Sequence, residues 1–428
     1  MRSDVESTVY GRASVGSGLN EADFAVILER SLAEVRSGSR VLAVVPDKTR
    51  DDNTHVLFPL AAKILSDKQL AKFDVLIAQG THAAMTDTEK HQKIGASSGI
   101  AGPGRIFDHQ WDVAGELTSL GALTSERVRE ITGGLIEHPI ELTINKRIST
   151  EYYDHILVIG ACAPHEVAGF SGGAKYFFPG VSGADLTNAT HWLGALAGIE
   201  NTIGRVETPA RHLIEAAAEM IGPDVTCLIS VVARDEGNEL RTHALFGGDM
   251  RLAFRKAAAV SKHVHIKYTG RKYKRVVALL DEHYDELWTG GKASYKLGGI
   301  IDEGGELIIY APHLRCASDT HGATIERYGY APIERVKAMV AESPDLAKNL
   351  CVAAHLAHVA FAGSAASVGM EPRYRISLAS QIDAETCRKL NLNYVDTSEF
   401  DLDNYRGDDD VFIVERAGQE LYLTEPQF

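Results

Sequence analysis

Cysteine is scarce in this chain of 428 residues. Cys162, Cys227, Cys316, Cys351 and Cys387 stand far apart, and no two form a C-x-x-C pair. That spacing argues against a thiolate zinc site, and the odd count fits reduced thiols in a cytoplasm better than a disulfide framework. Long apolar runs are also missing, since none approaches the roughly 20 residues of a membrane helix. The opening residues, Met-Arg-Ser-Asp-Val-Glu-Ser, lack the apolar core of a signal peptide. Basic charge is in deficit. A net charge of −14 argues against broad binding to nucleic acid or to an anionic membrane face. The expectation is a cytoplasmic protein with neither nucleic acid nor membrane as a partner. Its length and its 45% hydrophobic content suffice for two or three domains.

What is present is an alternation of short apolar runs with helical periodicity. Apolar runs at 40–46, 73–79, 153–160, 225–232 and 275–280 read as buried strands. Residues 22–36, 56–66 and 209–221 read as helices, and Thr86-Asp-Thr-Glu89 as a capped helix start. This order predicts an α/β fold of two domains with mainly parallel sheets. The basic stretch 262–274 reads as a linker, which places the domains at 1–268 and 269–428 with the active site in the cleft between them. The acidic segment after Phe400 reads as a cover for a sheet edge or as a mobile tail. In parallel sheets the ligand site lies beyond the carboxyl ends of the strands. Three such ends carry polar residues, at Asp47–Arg50, at Gly80-Thr81-His82 and at 163–175.

The last of these is the richest in chemistry. Lys175 stands behind Gly169-Phe-Ser-Gly-Gly-Ala, with His165 before it and His191 after it. Glycines let a backbone approach a ligand closely. A lysine there can meet a phosphate or bond covalently to a cofactor or substrate. Histidine moves protons near neutral pH or binds a metal, which makes His82, His165 and His191 candidates. No H-x-x-x-H or two-His-one-carboxylate pattern completes a protein-only metal site, so a metal on His191 needs further ligands from a cofactor. Arg50 has the fork geometry that grips a carboxylate, and Lys292, after Trp288-Thr289-Gly-Gly, is a second cation for an anionic ligand.

The set Asp47-x-Thr-Arg50, Gly80-x-His82, His165, Gly169-Phe-Ser-Gly-Gly-x-Lys175, Pro179-Gly180, His191 and Lys292 resembles the nickel-dependent lactate racemase family, from about residue 40 to 310. The resemblance implies a racemase or epimerase of a 2-hydroxy acid. It implies a nickel-pincer nucleotide, pyridinium-3-thioamide-5-thiocarboxylic acid mononucleotide with Ni(II), covalently attached to Lys175, and the biosynthesis proteins of that cofactor as partners. His191 would ligate nickel. Asp47, with the ribose region, Thr49, Gly172 and Gly173 would bind the cofactor. His82 and His165 would be acid and base on opposite faces of the substrate. Arg50, Lys292, Trp288 and Thr289 would bind it. Lys48, Ala174, Trp288 and Thr289 depart from the pattern, which expects histidine, a basic residue, tyrosine and glutamine there. These departures point toward a longer or more polar acid than lactate, such as a sugar acid. Two other readings stay open: a lyase or isomerase with Lys175 as a Schiff base, and a non-catalytic carrier of the nickel cofactor.

Overall fold

The computed structural model describes residues 8–82, 84–96, 104–235, 237–360 and 371–427. Arg40–Pro46 and His155–Ala161 are buried along almost their whole length. Burial on both faces is what a central parallel strand needs, and it selects the near-continuous apolar runs seen there. The two strands pair in parallel in the middle of a seven-stranded sheet. Lys72–Ala78 and then Ile106–Asp108 extend it on one side, both parallel. On the other side come Asp224–Arg234, parallel, and then Leu240–Gly248 and Val9–Ala13, each antiparallel to its neighbour. Helices Glu21–Ser31 and Thr54–Ser66 bury Phe24, Ile27, Leu28, Leu57 and Leu65 against this sheet. Asn20 starts the first of them with a capping box, which satisfies backbone donors that the helix cannot.

The chain leaves Arg40–Pro46 toward one side of the sheet and His155–Ala161 toward the other. At such a reversal of direction the loops after two neighbouring strands diverge and leave a crevice. The loops that diverge here begin at Asp47 and Cys162.

The second sheet is parallel throughout, in the order Asn393–Val395, Arg375–Ser380, Ile301–Ala311, Tyr273–Leu279, Val411–Val414. Val276, Ala278, Leu307, Ile309 and Leu378 form its core with helices that include Lys292–Leu297 and Leu350–Val359. The latter is buried at every position from Cys351 to Val359, as expected of a helix apolar on all sides. Both sheets give the mainly parallel α/β class that the alternation predicts.

By contacts the chain forms two units. The first holds Met1–Ala163, Phe170–Thr187 and Arg211–Val264; the second holds Pro164–Gly169, Asn188–Ala210 and His265–Phe428. Two local expectations need correction. The stretch 262–274 is not a linker: its first residues complete helix Met250–His265, and Ile266–Tyr268 pairs in parallel with Leu421–Leu423. Its lysines dominate the composition, while the buried Val264 and Ile266 decide the structure. His191 lies within the helix Ala184–Ala197. The helix expected at 22–36 ends at Ser31, although Leu32 and Val35 stay buried beyond it. The acidic C-terminal segment does cover an edge, because Val411–Val414 pairs with Tyr273–Leu279. No helix among the described residues is long and apolar enough to cross a membrane.

Candidate active site

Asp47 follows the last residue of its strand and is 4% exposed. Its Oδ1 accepts the Thr49 backbone N–H at 3.0 Å and the Thr49 hydroxyl at 2.6 Å, which closes a tight turn. Its Oδ2 lies 2.6 Å from His82 Nδ1. Burial alone would raise the Asp47 carboxyl. The His82 ring, the nearby Arg50 charge and the Thr49 hydroxyl outweigh it and hold the group far below the ordinary carboxylate range. His82 comes from the loop after Lys72–Ala78. There Gly80 takes φ +57° and donates its N–H to the Gly180 carbonyl at 2.9 Å. Lys93 steadies the stretch around Arg50, donating to the Arg50 carbonyl at 3.0 Å and to Asp52 at 2.6 Å. Lys48 turns to Glu89 at 2.7 Å, and with Thr86 it draws the Glu89 carboxyl down to about 2.

The glycine-rich loop is fixed from three sides. Tyr176 Oη accepts the Ala161 N–H at 2.9 Å, and Ser171 Oγ accepts the Ala163 N–H at 2.9 Å. Gly172 and Gly173 have φ of +91° and +61°. A Cβ on Gly172 would lie 3.2 Å from the Ala161 carbonyl oxygen, and one on Gly173 3.0 Å from Phe254 Cβ. Arg211 lies under the loop. Its Nη1 donates to the Gly172 carbonyl at 3.2 Å, its Nη2 to the Phe170 carbonyl, and its guanidinium sits 3.9 Å from the Phe254 ring centroid. Lys175 lies half-buried in the short turn Gly173–Tyr176, between the buried Ala174 and Tyr176. Arg211 escapes sequence reasoning. Its one signal is a charge beside the apolar positions Ala210, Leu213 and Ile214 of a helix otherwise read as merely amphipathic.

In the second unit His165 is 5% exposed. Its Nδ1 accepts the Val167 backbone N–H at 3.1 Å and lies 3.4 Å from Glu166 Oε2. Gly194 lets the helix Ala184–Ala197 approach this loop, since a Cβ there would lie 3.0 Å from Val167 Cα. His191 precedes Gly194 by three residues, which puts both on one side of that helix. Trp288 packs against two imidazoles, with centroid distances of 4.7 Å to His321 and 4.3 Å to His355. Thr289 donates its hydroxyl to the Glu286 carbonyl at 3.1 Å, inside its own turn. Lys292 begins a helix, with its ammonium 5.4 Å from the Tyr284 ring centroid.

Two histidines absent from the sequence reading also belong here. His355 and His358 are buried on Leu350–Val359, beyond the stretch that carries the resemblance. Burial, then the neighbouring His358, His321 and His191, pushes His355 well below its ordinary value. Burial pushes His358 down to about 4, against the opposing pull of Glu166 and the Gly194 backbone. Both are therefore neutral rings near pH 7.

The structure thus gathers Asp47, Thr49, Arg50, His82, Gly172, Gly173 and Lys175 in one unit, and His165, His191, Trp288, Thr289 and Lys292 in the other. Residues 25–204 match the model of the lactate racemase N-terminal domain. Among curated proteins none is similar in sequence. A crystal structure of a structural-genomics target from Thermotoga maritima is 33% identical over 95% of this chain and 99% of that one, with a TM-score of 0.85. The lactate racemase apoprotein from Thermoanaerobacterium thermosaccharolyticum is 16% identical, covering 96% of this chain and 94% of that one, with a TM-score of 0.68. At that identity the second likeness shows the fold alone. With the racemase domain match covering the loops that carry Asp47, His82, His165, Lys175 and His191, the chain belongs to the lactate racemase family.

Proposed function

We propose that this protein racemises or epimerises a 2-hydroxy acid, with His82 and His165 as the acid/base pair. The observation that carries the reading is the His82 ring held at 2.6 Å by a buried, ionised Asp47, with the Arg50 charge close enough to act on the same carboxylate. An oriented imidazole beside a guanidinium is what removing a proton from a bound carboxylate-bearing alcohol requires.

The residues fit a lysine-tethered nickel-pincer nucleotide. At Gly172 and Gly173, beside Lys175, a side chain would crowd the Ala161 carbonyl and Phe254, so the loop packs close on its own unit and fixes the backbone that carries Lys175. His191 offers an imidazole. Among the described residues the one group of three or more potential metal donors close enough together is Glu286, Cys316 and Asp319, which does not include it. A metal on His191 would therefore draw most of its donors from the cofactor, which suits a pincer ligand with its own carbon and sulfur atoms. When bound, that group supplies a hydride acceptor for the C2 hydrogen, which is too weakly acidic to leave readily as a proton.

The chain's own residues do the rest. Arg50 and Lys292 hold the substrate carboxylate. His82 accepts the hydroxyl proton of one enantiomer and His165 that of the other. Trp288 and Thr289 line the substrate side. Trp288 packs on two imidazoles, those of His321 and His355, which favours an acid with more hydrogen-bonding groups than lactate.

The test is to produce the chain together with the cofactor-synthesis enzymes, then measure its intact mass and nickel content. A nucleotide-sized adduct on Lys175 with nickel, followed by epimerisation of a C2-deuterated 2-hydroxy acid with the deuterium retained, is the expected result. An unmodified, metal-free chain under conditions that load a known racemase would discard the reading.

A further inference from the structure

We infer that His82 and His165 rest in opposite tautomers, His82 with its proton on Nδ1 and His165 with its proton on Nε2, and that Asp47 and Glu166 are the positioning carboxylates behind them. The inference builds on the reading of these two rings as the acid/base pair.

An ionised carboxylate only accepts hydrogen bonds. Asp47 Oδ2 lies 2.6 Å from His82 Nδ1, so that nitrogen carries the hydrogen. His82 then presents Nε2 as a bare lone pair, ready to take a proton. Asp47 Oδ1 is already engaged twice by Thr49. Through these bonds Asp47 and Thr49 orient His82.

His165 is held the other way. A backbone N–H only donates. The Val167 N–H points at His165 Nδ1 from 3.1 Å, so that nitrogen is bare and the neutral ring carries its hydrogen on Nε2. His165 therefore presents a donor where His82 presents an acceptor. Glu166 Oε2, 3.4 Å from the same Nδ1, is in place for the other state of the ring. When His165 is to accept a proton at Nε2, its own proton has to sit on Nδ1. The Val167 bond then yields, and Glu166 receives the Nδ1–H. One ring is set as a base at rest, and the other becomes one only through its carboxylate neighbour. An enzyme that serves two enantiomers needs a base on each side, His82 for one enantiomer and His165, in its Nδ1–H state, for the other.

The experiment is heteronuclear NMR of the chain labelled at histidine with nitrogen-15 and carbon-13, recorded without cofactor at slightly alkaline pH. Expected are a protonated Nδ1 and a bare Nε2 at His82, and the reverse at His165. Asp47→Asn should mix the His82 tautomers and leave His165 as it was. Glu166→Gln should leave His82 unchanged. In the loaded enzyme either substitution should lower kcat about 100-fold or more with little change in KM. A wild-type His82 with its proton on Nε2, or both rings in one tautomer, would overturn the inference, and this measurement needs no variant to fold. The assigned tautomers together with a loaded chain that epimerises no hydroxy acid would support this inference and count against the functional reading. An active enzyme whose two rings match in tautomer would do the opposite.

Discussion

Arg211 Nη1 donates to the Gly172 carbonyl at 3.2 Å from a side chain that is 1% exposed. The same guanidinium donates to the Phe170 carbonyl and lies on the Phe254 ring. One planar cation thus ties together the loop that carries Lys175. A lysine could not copy this, since its ammonium is a point charge without the fork. Arg211→Lys should lower the unfolding free energy by about 1–3 kcal/mol, the cost of leaving a buried carbonyl unpaired. It should also lower the fraction of chains modified at Lys175. Denaturant melts and intact mass read the two effects. Full stability with full modification would show that the loop holds its shape without the guanidinium.

Gly172 should tolerate no side chain. Its φ of +91° and ψ of 173° lie in a region open essentially to glycine alone. Gly172→Ala should cost about 1–3 kcal/mol from backbone strain, with a close contact to the Ala161 carbonyl in addition. Gly16→Ala is the control, because a Cβ there meets nothing within 4 Å and φ is ordinary. Equal melting temperatures for the two variants would contradict the argument.

How far the sequence shows these things depends on what each residue type reveals. Arg40–Pro46 was legible as a strand to the residue, because a run of apolar side chains buried on both faces leaves no other period. The Thr86 capping box was legible as well, since its two partners are three residues apart in sequence. Leu32 and Val35 continue the helical spacing yet lie past the helix end, where the chain goes on in hydrogen-bonded turns that bury apolar residues without extending the helix. In the candidate site, the loops and their polar residues could be read from strand ends. The bond from His82 to Asp47 could not, because it joins residues 35 apart whose strands have to pair first. His355 and His358 were illegible for a related reason: a histidine inside an alanine-rich helix gives no sign of what it will face.

Acidification should weaken the fold through histidines that are buried neutral. His155 lies at the start of its strand with Nε2 2.9 Å from Thr226 Oγ1, and burial pushes its value down to about 4. The unfolded ring protonates near pH 6.5. The unfolded state thus takes up its proton first. Stability from this group is complete above about pH 6.5, falls as pH drops from there to about 4, and is lost no further below that. The slope inside that window is at most about 1.4 kcal/mol per pH unit for one such ring. His155→Gln should make the acid limb shallower, while His358, also near 4, preserves part of it. Urea midpoints at pH 7.5, 5.5 and 4.5 read the slope. An identical slope in the variant would mean that His155 is charged in the folded protein or exposed.

His191→Ala should separate the metal from the tether. Alanine is the best helix former, so the substitution within Ala184–Ala197 leaves the helix intact. If His191 is the protein's donor to nickel, the variant should keep its melting temperature and its adduct on Lys175 while nickel per chain falls sharply. His321→Ala is the matching control. Its ring, like that of His191, acts on the buried His355, and it also packs on Trp288, but it has no assigned role at the metal. That variant should retain nickel and change only the response to substrate. Elemental analysis with intact mass on the same samples distinguishes the cases. Stoichiometric nickel in His191→Ala would remove this residue from the ligand role. Loss of nickel in both variants would mean that the whole imidazole cluster, rather than one ring, governs the metal.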